Sequence, residues 1–161
     1  MLSLLDGQVP AAENHLALVD PIPDVLPPAR AVVALNRAFL AVADKQPVQA
    51  LAFLKAGEKL AVGNNAPWFN PKIIVLEGLA AWSVDDIVQA EKLFRTAIVA
   101  RPTSEVPHIY LAQLLAAKTD ATGAQAERDT AAAFHLFDQE APVFAQSIVW
   151  VDPINGGIKR H

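Results

Sequence analysis

Apolar residues recur at intervals of three and four along most of the chain, and strict alternation of apolar and polar positions is almost absent. This period is typical of amphipathic α-helices that bury one face. The clearest case spans 85–100, whose apolar stripe consists of Ile87, Ala90, Phe94, Ala97 and Ile98. Ser83 with Asp86 predicts a capping box at its start, and Pro102 stops the helix beyond its end.

The same signals predict an all-α protein with about seven helices. The predicted ranges are 9–19, 28–43, 47–62, 71–82, 85–100, 105–118 and 123–138. Pro28 and Pro47 suit helix starts, and Gly63 lies where a helix ends. The prolines of 21–28 predict an extended connector. A last helix is predicted to begin within 154–161.

A longer period groups the helices into antiparallel pairs, because small residues recur at matching positions. Ala38 precedes Gly78 and Ala112 follows it at comparable intervals. The pattern that follows Gly78 continues with Ala90, Phe94, Ala97 and Pro102. A small residue on the first helix lets the second helix approach closely, and the proline ends the pair. This is the tetratricopeptide pattern, whose period is about 34 residues.

Insertions account for the unequal spacing of the units. The turn-rich residues 63–70 form the first predicted insertion. Phe134 and Pro142 follow Phe94 and Pro102 at an interval longer than the repeat period, which predicts a second insertion over 119–123. The predicted organisation is a half unit (1–20), a connector (21–28), units over about 29–63, 71–102 and 105–142, and a tail (143–161).

On these residues the chain resembles a tetratricopeptide-repeat protein over about 9–142. The resemblance implies helix pairs stacked in a short right-handed superhelix, with the first helices lining a concave groove. The residues expected to face this groove are Leu35, Phe39, Val42, Lys72, Val75, Leu79, Trp82, Ile109 and Gln113. The groove lacks the Lys and Asn set with which co-chaperone repeats of this family bind a peptide carboxylate. An apolar groove of this kind contacts another protein or peptide, or is covered by the chain's own tail.

The tail carries a second resemblance. Alanine-rich repeats followed by the aromatic segment 144–151 and the turn Asp152-Pro153 resemble the C-terminal helical regions of bacterial adenylate cyclases and of winged-helix transcriptional regulators. The resemblance implies a fragment or truncated relative of a larger bacterial regulator. Uncapped apolar faces at the two ends also predict stacking on another copy, and hence a possible homo-oligomer.

Composition narrows the classes of function. Hydrophobic residues make up 53% of the 161 residues and charged ones 19%, which excludes disorder for most of the chain. A net charge of −4 removes the usual electrostatic basis for nucleic-acid binding. No apolar stretch reaches the roughly 18 residues of a membrane span. With no cysteine and no signal peptide, a cytoplasmic location is expected.

Candidate chemistry is sparse. The four histidines lack metal-ligand spacing, and neither a phosphate-binding loop nor a nucleophile elbow is present. The sequence therefore predicts no catalytic residue, no metal and no cofactor. Asp85 and Asp86 suit a helix start better than a catalytic carboxylate pair, and His108 is expected at the surface or in the groove.

Two hypotheses of function follow. The first is a non-catalytic helical-repeat scaffold that mediates protein–protein or interdomain contacts. The alternative is a small all-helical enzyme or ligand carrier with a pocket between helices, for which Glu105, His108 and Tyr110 are the clustered polar candidates.

Overall fold

Six α-helices make up most of the part of the chain that the structure describes, which confirms the all-α class. The computed structural model describes residues 14, 16–18, 27–62, 70–139, 149–151 and 158–160. The helices are α1 (Pro27–Ala43), α2 (Pro47–Val62), α3 (Asn70–Ser83), α4 (Ile87–Ala100), α5 (Glu105–Ala117) and α6 (Ala121–Gln139). The helix predicted over 9–19 and the connector over 21–28 lie largely outside the described residues.

The helices pack as three successive antiparallel pairs. The most extensive contacts join α1 to α2, α3 to α4 and α5 to α6. Smaller contacts, between α2 and α3 and between α4 and α5, link each pair to the next, and α1 also touches α3. The packing therefore follows the order of the chain, as expected for an array in which each unit rests on its neighbours.

The turn inside each pair has one recurring geometry. Lys45, Asp85 and Thr119 have φ angles of 56°, 64° and 65°, the left-handed conformation that often ends a helix. The N–H of each donates to the carbonyl three residues back, and the following N–H donates to the carbonyl five residues back, over 2.7 to 3.0 Å. These paired bonds are a Schellman motif, which satisfies the last carbonyls of the first helix. The turns follow one another at the same two intervals as Ala38, Gly78 and Ala112.

Small residues lie between the helices of every pair. Ala38 and Ala112 expose 0% and 1% of their surface. Gly78 needs its missing side chain, because a β-carbon there would lie 2.6 Å from Cε1 of Phe94. The second helices contribute completely buried alanines at matching positions: Ala50, Ala90 and Ala124.

Phe94 connects the middle pair to the last one. Its ring stacks on Tyr110 of α5 with centroids 5.8 Å apart, and it meets Trp82 of α3 edge-on at 6.2 Å. Phe94 is completely buried. One side chain on α4 thus packs both its own partner helix and the first helix of the next pair.

The capping box predicted at Ser83 is wrong. Helix α4 begins at Ile87, and its N-cap is Asp86, whose carboxylate accepts a hydrogen bond from the Gln89 N–H at 3.1 Å. The Ser83 hydroxyl donates instead to the carbonyl of Ala80. The left-handed residue Asp85 ends α3 between them, so the cap of the next helix lies further along the chain than predicted.

The insertion predicted over 119–123 is also wrong. Thr119 makes the same turn as Lys45 and Asp85, and Asp120 caps α6 by accepting from the Gly123 N–H at 2.9 Å. Aligning the turns at Asp85 and Thr119 places Arg128, not Phe134, at the position that Phe94 has in the middle pair. The predicted insertion rests on matching Phe134 and Pro142 to Phe94 and Pro102, an interval that the two turns do not share.

Two short strands lie near the C-terminal end. Strands β1 (Val149–Val151) and β2 (Ile158–Arg160) pair antiparallel, with Trp150 opposite Lys159, and β1 contacts α1. The helix predicted within 154–161 is therefore wrong. Branched and aromatic residues favour strands here, and the adjacent glycines at 156–157 disfavour a helix.

Candidate interaction surface

Most of the residues predicted to face a groove belong to the core. Those that expose 9% or less of their surface are Leu35, Val42, Val75, Leu79 and Trp82. The remaining four are half-buried: Phe39, Lys72, Ile109 and Gln113. These four, called the inner residues below, are the part of the predicted groove that a partner can reach.

The core residues are buried because the first helices pack on more than one side. Helix α3 contacts α1, α2 and α4. Helix α5 packs against α4 and α6, and its buried residues are Glu105, Pro107, His108, Tyr110, Leu111, Ala112, Leu114 and Leu115. A helix that is apolar on nearly every side is an interior helix, and little of it remains to line a groove.

The polar candidates on α5 do not form one site. Tyr110 stacks on Phe94 towards α4, whereas His108 faces α6. Glu105 lines a separate open cavity of about 330 Å³ at the end of the last pair. Since residues two positions apart on a helix point in different directions, Tyr110 does not share a site with His108.

His108 is buried rather than exposed, which corrects its predicted surface position. It exposes 6% of its surface, and its Nδ1 lies 2.6 Å from Oε2 of Glu127 on α6. Its Nε2 lies 3.4 Å from the carbonyl of Pro102, and the ring of Phe134 is 5.7 Å away. His108 thus ties the α4–α5 connection to α6. The two residues of the His–Glu pair lie on different helices, so no local sequence motif marks their contact.

This geometry suits a structural role for His108. Carboxylate and carbonyl oxygens are hydrogen-bond acceptors, and both ring nitrogens face one. A general base needs a free nitrogen within reach of a substrate proton. Within the part of the chain that the structure describes, no group of three or more His, Asp or Glu residues is arranged to hold a metal ion.

A cationic network lies on the outer side of the middle pair. The Glu91 carboxylate accepts from Lys118 Nζ at 2.6 Å and from Arg95 Nη2 at 3.0 Å. These hydrogen bonds, first from Lys118 and then from Arg95, hold the pKa of Glu91 below its ordinary value. An open depression of about 650 Å³ surrounds the network, lined by Val88, Glu91, Lys92, Arg95, Thr96, Val99 and Lys118. We call it the outer depression.

Two like charges approach each other between the first and middle pairs. Glu77 on α3 is half-buried, and burial raises the pKa of its carboxyl above the ordinary value. The neighbouring charge of Glu58 on α2 raises this pKa further. Among the described residues neither carboxylate forms an ion pair. Ionised Glu77 is therefore an unfavourable element of the fold.

One face of the last pair is open, whereas the equivalent face of the middle pair is covered by α5. Phe94 is completely buried, whereas the equivalent Arg128 lines the open cavity that also contains Glu105. Arg128 is exposed. In the middle pair this side of the second helix packs against α5, so the end of the array has the position of an interface between units.

No described helix is both long and apolar enough to cross a lipid bilayer. No protein-family model, curated protein or solved structure matches the chain.

Proposed function

We propose that this protein is a non-catalytic scaffold that mediates protein–protein or interdomain contacts. In this proposal its helix pairs are divergent tetratricopeptide units stacked in a right-handed superhelix. The chain is cytoplasmic and is a part or a relative of a bacterial regulator. The observation that carries the proposal is the recurrence of one turn at Lys45, Asp85 and Thr119, with buried small residues beside it. Repeated pairs of this kind offer extended surfaces, which is the usual basis of scaffold function.

The arrangement of polar groups supports binding rather than turnover. Tyr110 and His108 face different neighbouring helices, and both nitrogens of His108 face protein oxygens. An enzyme needs an acid, base or nucleophile whose reactive atom reaches the substrate. A scaffold needs only a stable surface.

The inner residues suit a peptide or another protein domain as partner. Phe39 and Ile109 offer apolar contact, while Lys72 and Gln113 add a charge and an amide. This mixture matches a protein interface, in which apolar anchors are bordered by polar groups. The end face beside Arg128 is the surface through which a second copy would stack.

Selection of binding peptides tests the proposal. A displayed library of random peptides is screened against the full chain, and the selected peptides are measured by fluorescence anisotropy. We expect Lys72→Glu and Ile109→Asp to weaken them by about tenfold or more, because central interface contacts contribute most of the affinity. Asp129→Lys, on the outer side of α6, is the matched surface control and should leave affinity unchanged.

A second measurement separates the scaffold from an enzyme. The same preparation is incubated with adenosine and guanosine triphosphates, and products are followed by chromatography. The scaffold predicts no conversion. A screen that yields no binding peptide, or nucleotide turnover abolished by His108→Ala, would refute it.

A further inference from the structure

Two of the most exposed apolar side chains among the described residues lie on one face of α4. Val88 and Val99 expose 82% and 80% of their surface. They are three helical turns apart, which corresponds to about 16 Å. Both line the outer depression. Single exposed valines are ordinary on a protein surface, but two that border one depression can act together as contact points.

The cations of the outer depression give it a charge opposite to that of the whole chain. Lys92, Arg95 and Lys118 against Glu91 leave a net charge of +2, whereas the chain carries −4. Arg95 and Lys118 share the Glu91 carboxylate. Lys92 forms no ion pair within 27–62 and 70–139. Its ammonium group is therefore available to an incoming anion.

Part of this combination, one exposed valine and one cation, recurs on the first pair and is lost on the last. Val48, which is 81% exposed, and Lys55 have the positions on α2 that Val88 and Arg95 have on α4. On α6 the equivalent residues are Thr122 and Asp129, which supply neither the apolar group nor the positive charge. Helices α2 and α4 therefore each carry an exposed valine and a cation at equivalent positions, and α6 carries neither there.

We propose that the outer depression binds an acidic amphipathic helix of a partner protein. This inference rests on the proposed scaffold function and adds the chemistry of one partner. The valines fit the apolar stripe of such a helix, and the cations fit carboxylates beside the stripe. The positive charge of the depression favours an acidic partner.

Glu91 sets the strength of this binding. Its carboxylate occupies Arg95 and Lys118 in the free protein, so a carboxylate of the partner competes with it for the same donors. Lys92 forms no ion pair with a described carboxylate, so a carboxylate of the partner binds its ammonium group without competition. Removing the charge of Glu91 should strengthen binding, and reversing that of Lys92 should weaken it.

The test uses the full chain and a labelled synthetic helix of about 16 residues, long enough to reach both valines. The helix carries leucines at a spacing of three and four residues and glutamates beside them, and anisotropy measures its affinity. We expect Lys92→Glu and Val99→Ser each to weaken binding by about tenfold, and Glu91→Gln to strengthen it by about two- to fivefold. Binding to the unaltered chain should weaken as salt concentration rises.

Ala126→Glu is the matched control. Ala126 on α6 has the position that Lys92 has on α4, and it lies on the exposed outer side of its helix, so the variant adds a negative charge at the equivalent site of the last pair. It should leave affinity unchanged, and circular dichroism should give all variants the same helical content. A loss as large in Ala126→Glu as in Lys92→Glu would overturn the proposal, because it would show only general charge repulsion.

Two further probes distinguish the class of partner. Single-stranded DNA and vesicles with about one-third anionic lipid carry the negative charge without the apolar stripe. If either binds as tightly as the peptide and loses affinity in Lys92→Glu, the assignment to a protein helix is wrong. Peptides selected on the inner residues should keep their affinity in Lys92→Glu, so a failure here leaves the scaffold proposal intact.

Discussion

The middle and last helix pairs have the same buried alanines between their helices, but they differ at the position of Phe94. Ala90 and Ala97 of α4 correspond to Ala124 and Ala131 of α6, and all four expose 3% or less of their surface. The two pairs differ at one equivalent position: Phe94 of α4 is completely buried, and Arg128 of α6 is exposed. Buried alanines inside the pair are therefore common to the two pairs, whereas the residue that contacts the following helix in the middle pair differs in the last pair.

The difference follows from what each second helix contacts. Phe94 reaches Tyr110 of the following pair, and α6 has no further described helix to contact. A phenylalanine at position 128 would be exposed, so a charged residue is the more stable choice at an end face. The last pair also contains a partly buried contact of His108 with Glu127.

The largest expected effect separates these two positions directly. Phe94→Ala should lower the free energy of unfolding by about 3 to 5 kcal/mol, because it removes a buried ring and leaves a cavity. Arg128→Ala, the matched substitution in the last pair, should change stability by about 0.5 kcal/mol or less. Urea unfolding followed by circular dichroism measures both. Equal losses would mean that the two pairs are not in the assigned register.

A smaller change in the free energy of unfolding is expected when a methyl group is added at Gly78, where the Phe94 ring leaves no room for it. Helix propensity alone predicts that Gly78→Ala stabilises α3 by about 0.5 to 1 kcal/mol. Contact of the new β-carbon with the Phe94 ring predicts the opposite, a loss of about 1 to 3 kcal/mol, and we expect this loss to prevail because the ring is completely buried. Urea unfolding decides between them by the sign of the change. A stabilised variant would show that the helices of the middle pair separate easily.

The first pair supplies the rescue for this variant. It carries Ala38 and Leu54 at the positions of Gly78 and Phe94, so a larger first residue is combined with a smaller second one. Adding Phe94→Leu to Gly78→Ala should therefore cost less than the sum of the two single changes. A double-mutant cycle measures this coupling. Strict additivity would contradict direct contact between the two positions.

Much of the helical framework could be predicted from the sequence. Periodic apolar residues with Pro47 and Gly63 at the boundaries predict α2 over 47–62, which agrees with the structure. The intervals of the small residues predict the pairing, because close packing between helices restricts side-chain size at fixed positions. These signals are local or periodic, so one sequence is sufficient to detect them.

Other features depend on contacts that leave no local pattern. A left-handed Asp85 is uncommon for a residue with a side chain, and missing it misplaced the cap of α4. Val75 and Leu79 are buried because α3 packs against three other helices. No local sequence pattern indicates that number. The pair of His108 and Glu127 joins two helices, and the outer depression joins α4 to the end of α5.

The smallest expected effect, and the one whose sign depends on pH, concerns the carboxylates between the first and middle pairs. Burial and the charge of Glu58 raise the pKa of Glu77 above its ordinary 4.5. The folded state therefore holds this proton more tightly than the unfolded state, and its contribution to stability is lost as pH rises through the folded pKa. Glu77→Gln should be more stable than the unaltered chain at pH 7, by less than about 1 kcal/mol because the group is partly exposed.

The pH dependence distinguishes this charge effect from a packing effect. The advantage of Glu77→Gln should shrink as pH falls towards 4.5, because Glu77 of the unaltered chain then becomes neutral. Glu91→Gln should do the reverse: the pKa of Glu91 is lowered by Lys118 and Arg95, so its loss destabilises at pH 7 and the deficit disappears on acidification. Thermal unfolding of the three proteins measures both trends, from pH 7 down to pH 4 for Glu77→Gln and further into the acid range for Glu91→Gln. An advantage of Glu77→Gln that is independent of pH would show that Glu77 is unfavourable because of its shape and not its charge.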